Sequence, residues 1–162
     1  MKKLAGELRE DAKAGPDAES DERRLREWLE DLKKLVESIE SWVAPLVEEK
    51  VASLQRSSMT LVEPDLGQYE APTLDIRILT KSPCLVRIEP RGEHVVGLAL
   101  RGGERVVGVR GRVDMRSGPA IWAFLRRPDR TWWILPVDGR TSKRTLSEAR
   151  FAEALRKLIN AE

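Results

Sequence analysis

Apolar residues recur at alternating steps of three and four between Asp21 and about Gln55. This spacing lays them along one side of a helix, so it predicts one long amphipathic helix over that stretch. Ser20 is the predicted N-cap, and Pro45 predicts a kink near residues 41–45 or a junction between two helices. The main line of the apolar stripe consists of Leu25, Trp28, Leu32, Leu35, Ile39, Trp42 and Leu46.

The period of the pattern changes to two after residue 58, which is typical of half-buried strands. Strands are predicted at 59–63, 73–80 and 84–89. Two later strands, at 120–125 and 131–135, are apolar on both sides, so we expect both of their faces to be covered.

A hairpin is predicted at Gly102-Gly103, because a two-residue Gly-Gly connection suits a tight turn between strands. The expected register places Leu98 opposite Val107 and continues the second strand to Met115. Further along, Thr145-Leu-Ser-Glu148 matches a capping box, which predicts a closing amphipathic helix.

These elements predict the fold class α+β, with a long N-terminal helix, an antiparallel meander sheet of five or six strands, and a C-terminal helix. Residues 1–19 are expected to form a mobile or loosely docked arm, and residues 20–162 a single α+β domain.

Charge is distributed unevenly along the chain. Charged residues make up 35% of the sequence, yet the net charge is only +2. Residues 1–70 carry 11 Lys+Arg and 17 Asp+Glu, a net charge of −6, whereas residues 71–145 carry 15 and 7, a net charge of +8. The helical half is therefore acidic and the sheet half basic, so either could meet an oppositely charged partner, or each could neutralise the other.

Residues with catalytic chemistry are scarce. The single histidine, His94, is expected on the core face opposite Gly111, and the single cysteine, Cys84, is expected to be a small buried hydrophobe. No cofactor or metal site is predicted, and an enzyme is not favoured. With no disulfide and no long apolar run, the chain is expected to be soluble, without a membrane association, and located in the bacterial cytosol.

The basic sheet provides the candidate interaction surface. Arginines alternate onto one strand face or lie near its turns, where Glu89 and Asp114 could join them in a metal or phosphate site or in cross-strand ion pairs. We expect a non-enzymatic protein-interaction module of adaptor, chaperone or immunity type, or alternatively a nucleic-acid-binding protein. The surface consists of Arg77, Arg87, Arg110, Arg112, Asp114, Arg126 and Arg127.

The breadth of the apolar stripe raises the question of self-association. A small sheet would cover only part of it, so a homodimer through the stripe is one expectation. In the alternative, the C-terminal helix with Phe151, Leu155 and Leu158 covers the stripe within one chain. The candidate self-association residues are Trp28, Leu32, Leu35, Ile39 and Trp42.

Overall fold

The computed structural model describes residues 16–94, 98–99, 105–106, 109–137 and 143–160. The predicted α+β class, with a helix at each end of an antiparallel meander, is confirmed, but the main sheet has seven strands rather than five or six. Its strand order is β1-β2-β3-β6-β7-β8-β9, and β4 and β5 form a separate two-stranded ribbon between β3 and β6. The elements are α1 (Pro16–Glu48), β1 (Ala52–Glu63), β2 (Gly67–Ile78), β3 (Cys84–Gly92), β4 (Leu98–Ala99), β5 (Arg105–Val106), β6 (Arg112–Ser117), β7 (Ala120–Arg126), β8 (Trp132–Pro136), β9 (Arg144–Thr145) and α2 (Glu148–Asn160).

The first helix begins and ends earlier than its pattern predicts. It starts at Pro16 rather than after an N-cap at Ser20, and proline suits a first helical turn because no intrahelical donor is needed there. It runs through Pro45 as one helix and ends at Glu48, not near Gln55. Residues 16–19 of the predicted arm thus belong to α1, and residues 1–15 lie outside the described residues.

A backbone cap ends α1. Lys50 adopts a left-handed conformation with φ +60°. Its N–H donates to Val47 O at 3.0 Å, and Val51 N–H donates to Leu46 O at 3.0 Å. This is the pattern of a Schellman motif, which satisfies the last carbonyl groups of a helix and redirects the chain. The chain therefore enters β1 at Ala52, although Val51 and Leu54 would continue the apolar stripe of a helix.

The apolar stripe of α1 is buried against the sheet within a single chain. Trp28 and Ile39 are 0% exposed, and Leu32 and Leu35 are at most 3% exposed. Trp42 is partly buried and packs on Phe151 of α2, with ring centroids 5.3 Å apart. The stripe is thus covered by the sheet and by α2, so the expectation that it would remain open for a second copy is wrong.

The strand that was predicted to be continuous is irregular at Gly111, because Arg110 N–H donates to Arg126 O and Arg126 N–H donates to Gly111 O, so that two residues lie opposite one. Gly111 has φ +155°, and a Cβ there would lie 2.8 Å from Cη2 of Trp28. Before this glycine, Val109 packs in a small apolar cluster with Ala123, Leu125 and Leu135, whereas Val113 after it belongs to the main core. Only glycine allows this backbone to pass so close to the indole.

The small cluster explains the apolar character of β7 and β8. Phe124 and Ile134 face the main core below the helices, while Leu125 and Leu135 contribute to the cluster on the opposite side. Both faces of these strands are covered, as their composition predicts.

Two local predictions need correction. In the ribbon, Leu98 pairs with Val106 rather than Val107, a shift of one residue, and the Gly102-Gly103 turn lies outside the described residues. At α2, the N-cap is Ser147, whose Oγ accepts a hydrogen bond from Arg150 N–H at 3.2 Å, while Thr145 belongs to β9. In the described part of the chain, no helix is both long and apolar enough to cross a membrane.

Candidate interaction cleft

A charged cleft of about 570 Å³ opens where the N-terminal half of α1 meets the end of β3 and the turn between β7 and β8. Its walls come from segments far apart in the chain, and four of its side chains are arginines. The lining residues are Ser20, Arg24, Glu27, Asp65, Glu93, His94, Arg110, Arg126, Pro128 and Arg130.

Asp31 anchors one wall of the cleft. This carboxylate is 4% exposed and accepts hydrogen bonds from Arg126 Nε at 2.7 Å and from Arg130 Nε and Nη2, both at 2.9 Å. The hydrogen bond to Asp31 holds the pKa of Arg130 above its ordinary value. Arg130 also lies 3.3 Å from Glu30 and 4.0 Å from Glu27, so two guanidinium groups share three carboxylates, of which Asp31 is the buried one.

Arg126 is itself locked in place, with 4% of its surface exposed. Its Nη1 donates to Arg110 O at 2.9 Å, and its guanidinium carbon lies 5.6 Å from the centroid of a Trp28 ring. Hydrogen bonds, an ion pair and a cation–π contact thus fix the same side chain. It forms a rigid part of the wall.

Arg24 and Glu93 form the opposite wall. Arg24 Nη2 lies 2.5 Å from Glu93 Oε2, and Arg24 Nε donates to Oε1 at 3.4 Å. The hydrogen bond to Glu93 holds the pKa of Arg24 above its ordinary value, with smaller contributions from Asp21 and Asp65. This pair is close to neutral, because each charge has a direct partner.

Glu63 supports the backbone that carries Glu93. Its carboxylate, 8% exposed by residue, accepts hydrogen bonds from Glu93 N–H at 3.2 Å, from His94 N–H at 2.8 Å and from the Tyr69 hydroxyl. The Tyr69 oxygen in turn accepts from Trp28 Nε1 at 3.0 Å. The cleft therefore rests on a buried chain of hydrogen bonds that runs from α1 through β2 and β1 to the segment after β3.

Arg110 is the least engaged cation of the cleft. Its side chain is exposed, and among the described residues no carboxylate lies within 4 Å of it. The neighbouring Arg126 and Arg130 are paired with Asp31, and Arg130 also with Glu30 and Glu27, so Arg110 is the arginine of the cleft without a carboxylate partner in the described part of the chain. The two acidic residues at the rim are more exposed than Asp31 and Glu93, since 38% of the Glu27 side chain and 53% of the Asp65 side chain are accessible.

The structure separates the predicted arginine surface into parts. Arg77, Arg87, Arg112 and Asp114 share the sheet face opposite α1, as predicted. The prediction is wrong for Arg126, which lies on the helix side of β7 and is buried in the cleft wall. It faces that side because Trp122 and Phe124, at the alternate positions before it, do so as well.

Arg110 also leaves the predicted face, whereas Arg127, which was predicted near the turns, lies beside Trp133 of the cluster on that side of the sheet. Arg110 directly precedes the irregular strand pairing at Gly111, and it lines the cleft. Arg127 follows β7, pairs with Asp129 at 3.1 Å and lies 5.3 Å from a Trp133 ring centroid.

Acidic neighbours neutralise much of the outer face. Arg87 lies 3.5 Å from Asp75, Arg116 lies 3.1 Å from Glu89, and Asp114 accepts from Arg112 at 2.7 Å. The first two are the cross-strand ion pairs that the sequence offered as the alternative to a metal or phosphate site, and the third lies within β6. No group of three or more His, Cys, Asp or Glu side chains in the described residues could hold a metal ion.

His94 and Cys84 differ in how they match the prediction. His94 is exposed at the edge of the cleft rather than buried on the core face, because the chain leaves the sheet at Gly92. Cys84 is partly buried against the main core, close to its predicted role as a small hydrophobe.

Sequence reasoning missed most residues of the cleft. Asp31 had a detectable signal: a carboxylate three residues after Trp28 and four before Leu35 occupies the apolar side of the helix, where it needs a buried partner. Glu63, Glu93, Arg24 and Arg130 had no comparable signal, since each lies at a strand end, in a polar turn or on a polar helix face.

Comparison with known proteins identifies no relative of this chain. No family model, no curated protein and no solved structure matches it.

Proposed function

We propose that this protein is a protein-interaction module that binds an acidic segment of a partner protein in the cleft. Arg110 is the observation that carries the proposal, because an exposed guanidinium beside two ordered arginines offers donors to an incoming carboxylate. Arginine binds carboxylates with two parallel hydrogen bonds, which gives orientation as well as affinity.

The ordered wall makes this binding favourable. Arg126 and Arg130 are already held by Asp31, so little side-chain entropy is lost when a ligand approaches them. An acidic side chain that reaches Arg110 also meets a guanidinium that needs to give up no carboxylate partner among the described residues.

The rim favours a short acidic protein segment over a nucleic acid. Glu27 and Asp65 stand exposed at the rim, where they would repel a continuous line of phosphates, while a single carboxylate could pass between them. The alternative of nucleic acid on the outer face has less support, because Arg87, Arg112 and Arg116 each have a carboxylate partner there. The bacterial cytosol remains the proposed location, since the chain has one cysteine and needs no disulfide.

The test measures binding of two labelled probes to the full chain by fluorescence anisotropy. One probe is a peptide with a single glutamate among uncharged residues, and the other is a single-stranded DNA of similar length. The peptide is expected to bind more tightly, and Arg110→Glu should weaken it at least about tenfold, because charge-assisted hydrogen bonds contribute about 1.5–3 kcal/mol.

Arg77→Glu is the matched control. It makes the same charge change at an exposed position on the opposite face of the sheet, and it should leave peptide binding nearly unchanged. Equal losses in both variants would show that only net charge matters and would overturn the proposal. Tighter binding of DNA, or peptide binding that is independent of Arg110, would do the same.

A further inference from the structure

The first strand of the sheet has a long free edge. β1 covers twelve residues, Ala52–Glu63, and pairs with β2 along its entire length. It is the first strand of the sheet order, and no described strand pairs with its other edge. At the opposite end of the sheet, β9 has only two residues, Arg144–Thr145. The two edges therefore differ strongly in the number of backbone groups that they leave without a strand partner.

β1 lacks the features that usually prevent edge-to-edge pairing. Proteins commonly protect exposed edges with short strands, prolines, bulges or several charges. From Ala52 to Val62 the only charged residue is Arg56, there is no proline, and the pairing with β2 has no register shift. Val62 is 74% exposed, and Gln55, Ser57 and Ser58 are exposed as well.

We propose that β1 pairs antiparallel with β1 of a second copy, around a two-fold axis at Ser58, so that the two sheets join into one. A strand that meets its own copy across such an axis presents the same edge to itself. With the axis at Ser58, the small serine side chains meet at the centre, and Leu54 of each copy lies opposite the exposed Val62 of the other. The ladder therefore covers an apolar residue that a single chain leaves open.

The charges of β1 are compatible with this register. Arg56 of one copy lies opposite Thr60 of the other, so the two arginines do not face each other. Thr60 Oγ1 and Ser58 Oγ both donate to the Glu70 carboxylate on β2, which places that acid on the same side of the ladder as Arg56. Arg56 is also paired with Glu40 of α1, so it brings no unpaired positive charge to the ladder.

Light scattering of the full chain at tens of micromolar tests the proposal. The unmodified protein should show about twice the mass of the 18.4 kDa chain. Ser58→Lys places like charges opposite each other at the axis and should return the protein to one chain. The new lysine can pair with Glu70 in the monomer, so the fold should persist. Ser82→Lys adds the same charge in the exposed β2–β3 loop and should remain dimeric.

A disulfide experiment tests the register without relying on Ser58→Lys. In a Cys84→Ser background, Ser58→Cys should form an intermolecular disulfide on mild oxidation, because directly opposed residues have a suitable Cα separation. Gln55→Cys should not, because residue 55 would face residue 61 of the other copy. A mass near 18.4 kDa for the unmodified chain, a dimer that persists in Ser58→Lys, or faster cross-linking at 55 than at 58 would each overturn the proposal.

Discussion

Tyr69 shows how strongly the packing of the chain acts on a single side chain. Burial, and next its hydrogen bond to the Glu63 carboxylate, raise the pKa of its phenol well above the ordinary value. The hydroxyl cannot ionise in place without bringing a negative charge against a carboxylate. Because it is the only tyrosine in the sequence, its titration can be observed without interference from others.

We expect the phenol of Tyr69 to remain protonated in the folded protein as the pH rises past about 10, where an unfolded tyrosine ionises. A pKa that is raised on folding contributes stability that is fully present below the unfolded pKa and is lost as the pH rises toward the folded pKa. Phenolate absorbance should therefore appear together with loss of the circular dichroism signal, whereas in urea it should appear near pH 10.

Ionisation of Tyr69 near pH 10 in a chain that is still folded would contradict this account. Tyr69→Phe serves as the control, because it removes the group that titrates. In that variant the alkaline part of the stability curve should be flatter, although the loss of the bond to Glu63 lowers stability at neutral pH.

Two connections depend on non-glycine residues with a left-handed backbone, for different reasons. Lys50 ends α1 with φ +60°, and Arg130 has φ +68° in the turn before β8. The Lys50 side chain is exposed and has no ion pair among the described residues, so glycine would relieve strain there at no cost in contacts. The Arg130 side chain is bound to Asp31, which compensates for its backbone strain.

Lys50→Gly should therefore raise the free energy of unfolding by about 1 kcal/mol, because glycine avoids the steric cost of a left-handed residue. Arg130→Gly gains the same relief but removes two hydrogen bonds from a buried carboxylate, and it should be destabilising. Urea denaturation of both variants measures the contrast. Stabilisation by both substitutions would show that the Arg130–Asp31 contact has little energetic weight.

At the scale of the whole molecule, Asp31 connects the first helix to β7, the fifth of the seven strands in the order of the sheet. Its bond to Arg126 joins residues 95 positions apart. Removing one partner of a buried ion pair leaves an uncompensated charge, which typically costs about 3–5 kcal/mol. Asp31→Asn should therefore cost about 3 kcal/mol of unfolding free energy.

A double-mutant cycle isolates this contact. Combining Asp31→Asn with Arg126→Met should recover part of the loss, because Arg126 is then no longer buried without its carboxylate. The exposed pair Glu153–Lys157, at 3.2 Å, is the control, and Glu153→Gln should cost no more than about 0.5 kcal/mol. Additive effects of the Asp31 and Arg126 substitutions would contradict the predicted coupling.

Periodicity was sufficient to predict the main layers of this fold. The stripe from Leu25 to Leu46 identifies α1, and alternation identifies the strands, because both signals extend over many residues. The helix end was misplaced because Val51 and Leu54 suit the stripe equally well. The conformation of Lys50, which ends the helix, is unusual for lysine and leaves no sequence signal.

The cleft could not be predicted from the same patterns. The face occupied by Arg126 was ambiguous, since Ala123 and Leu125 are as apolar as Phe124, and alternation therefore does not show which side faces the helix. The cleft residues that pair with one another are also distant in sequence: Arg24 and Glu93 are separated by 69 positions. Such contacts depend on how the layers stack, which local spacing does not specify.

During synthesis, α1 is made before the strands that cover it. Its partner strands all follow it: Tyr69 lies 41 residues after Trp28, and Arg126 lies 95 residues after Asp31. At ribosomal rates of about 5–20 residues per second, Arg126 is made roughly 5–20 s after Asp31. During that interval the two tryptophans of the nascent helix are not yet covered by the sheet. They would offer a binding surface to a ribosome-associated chaperone.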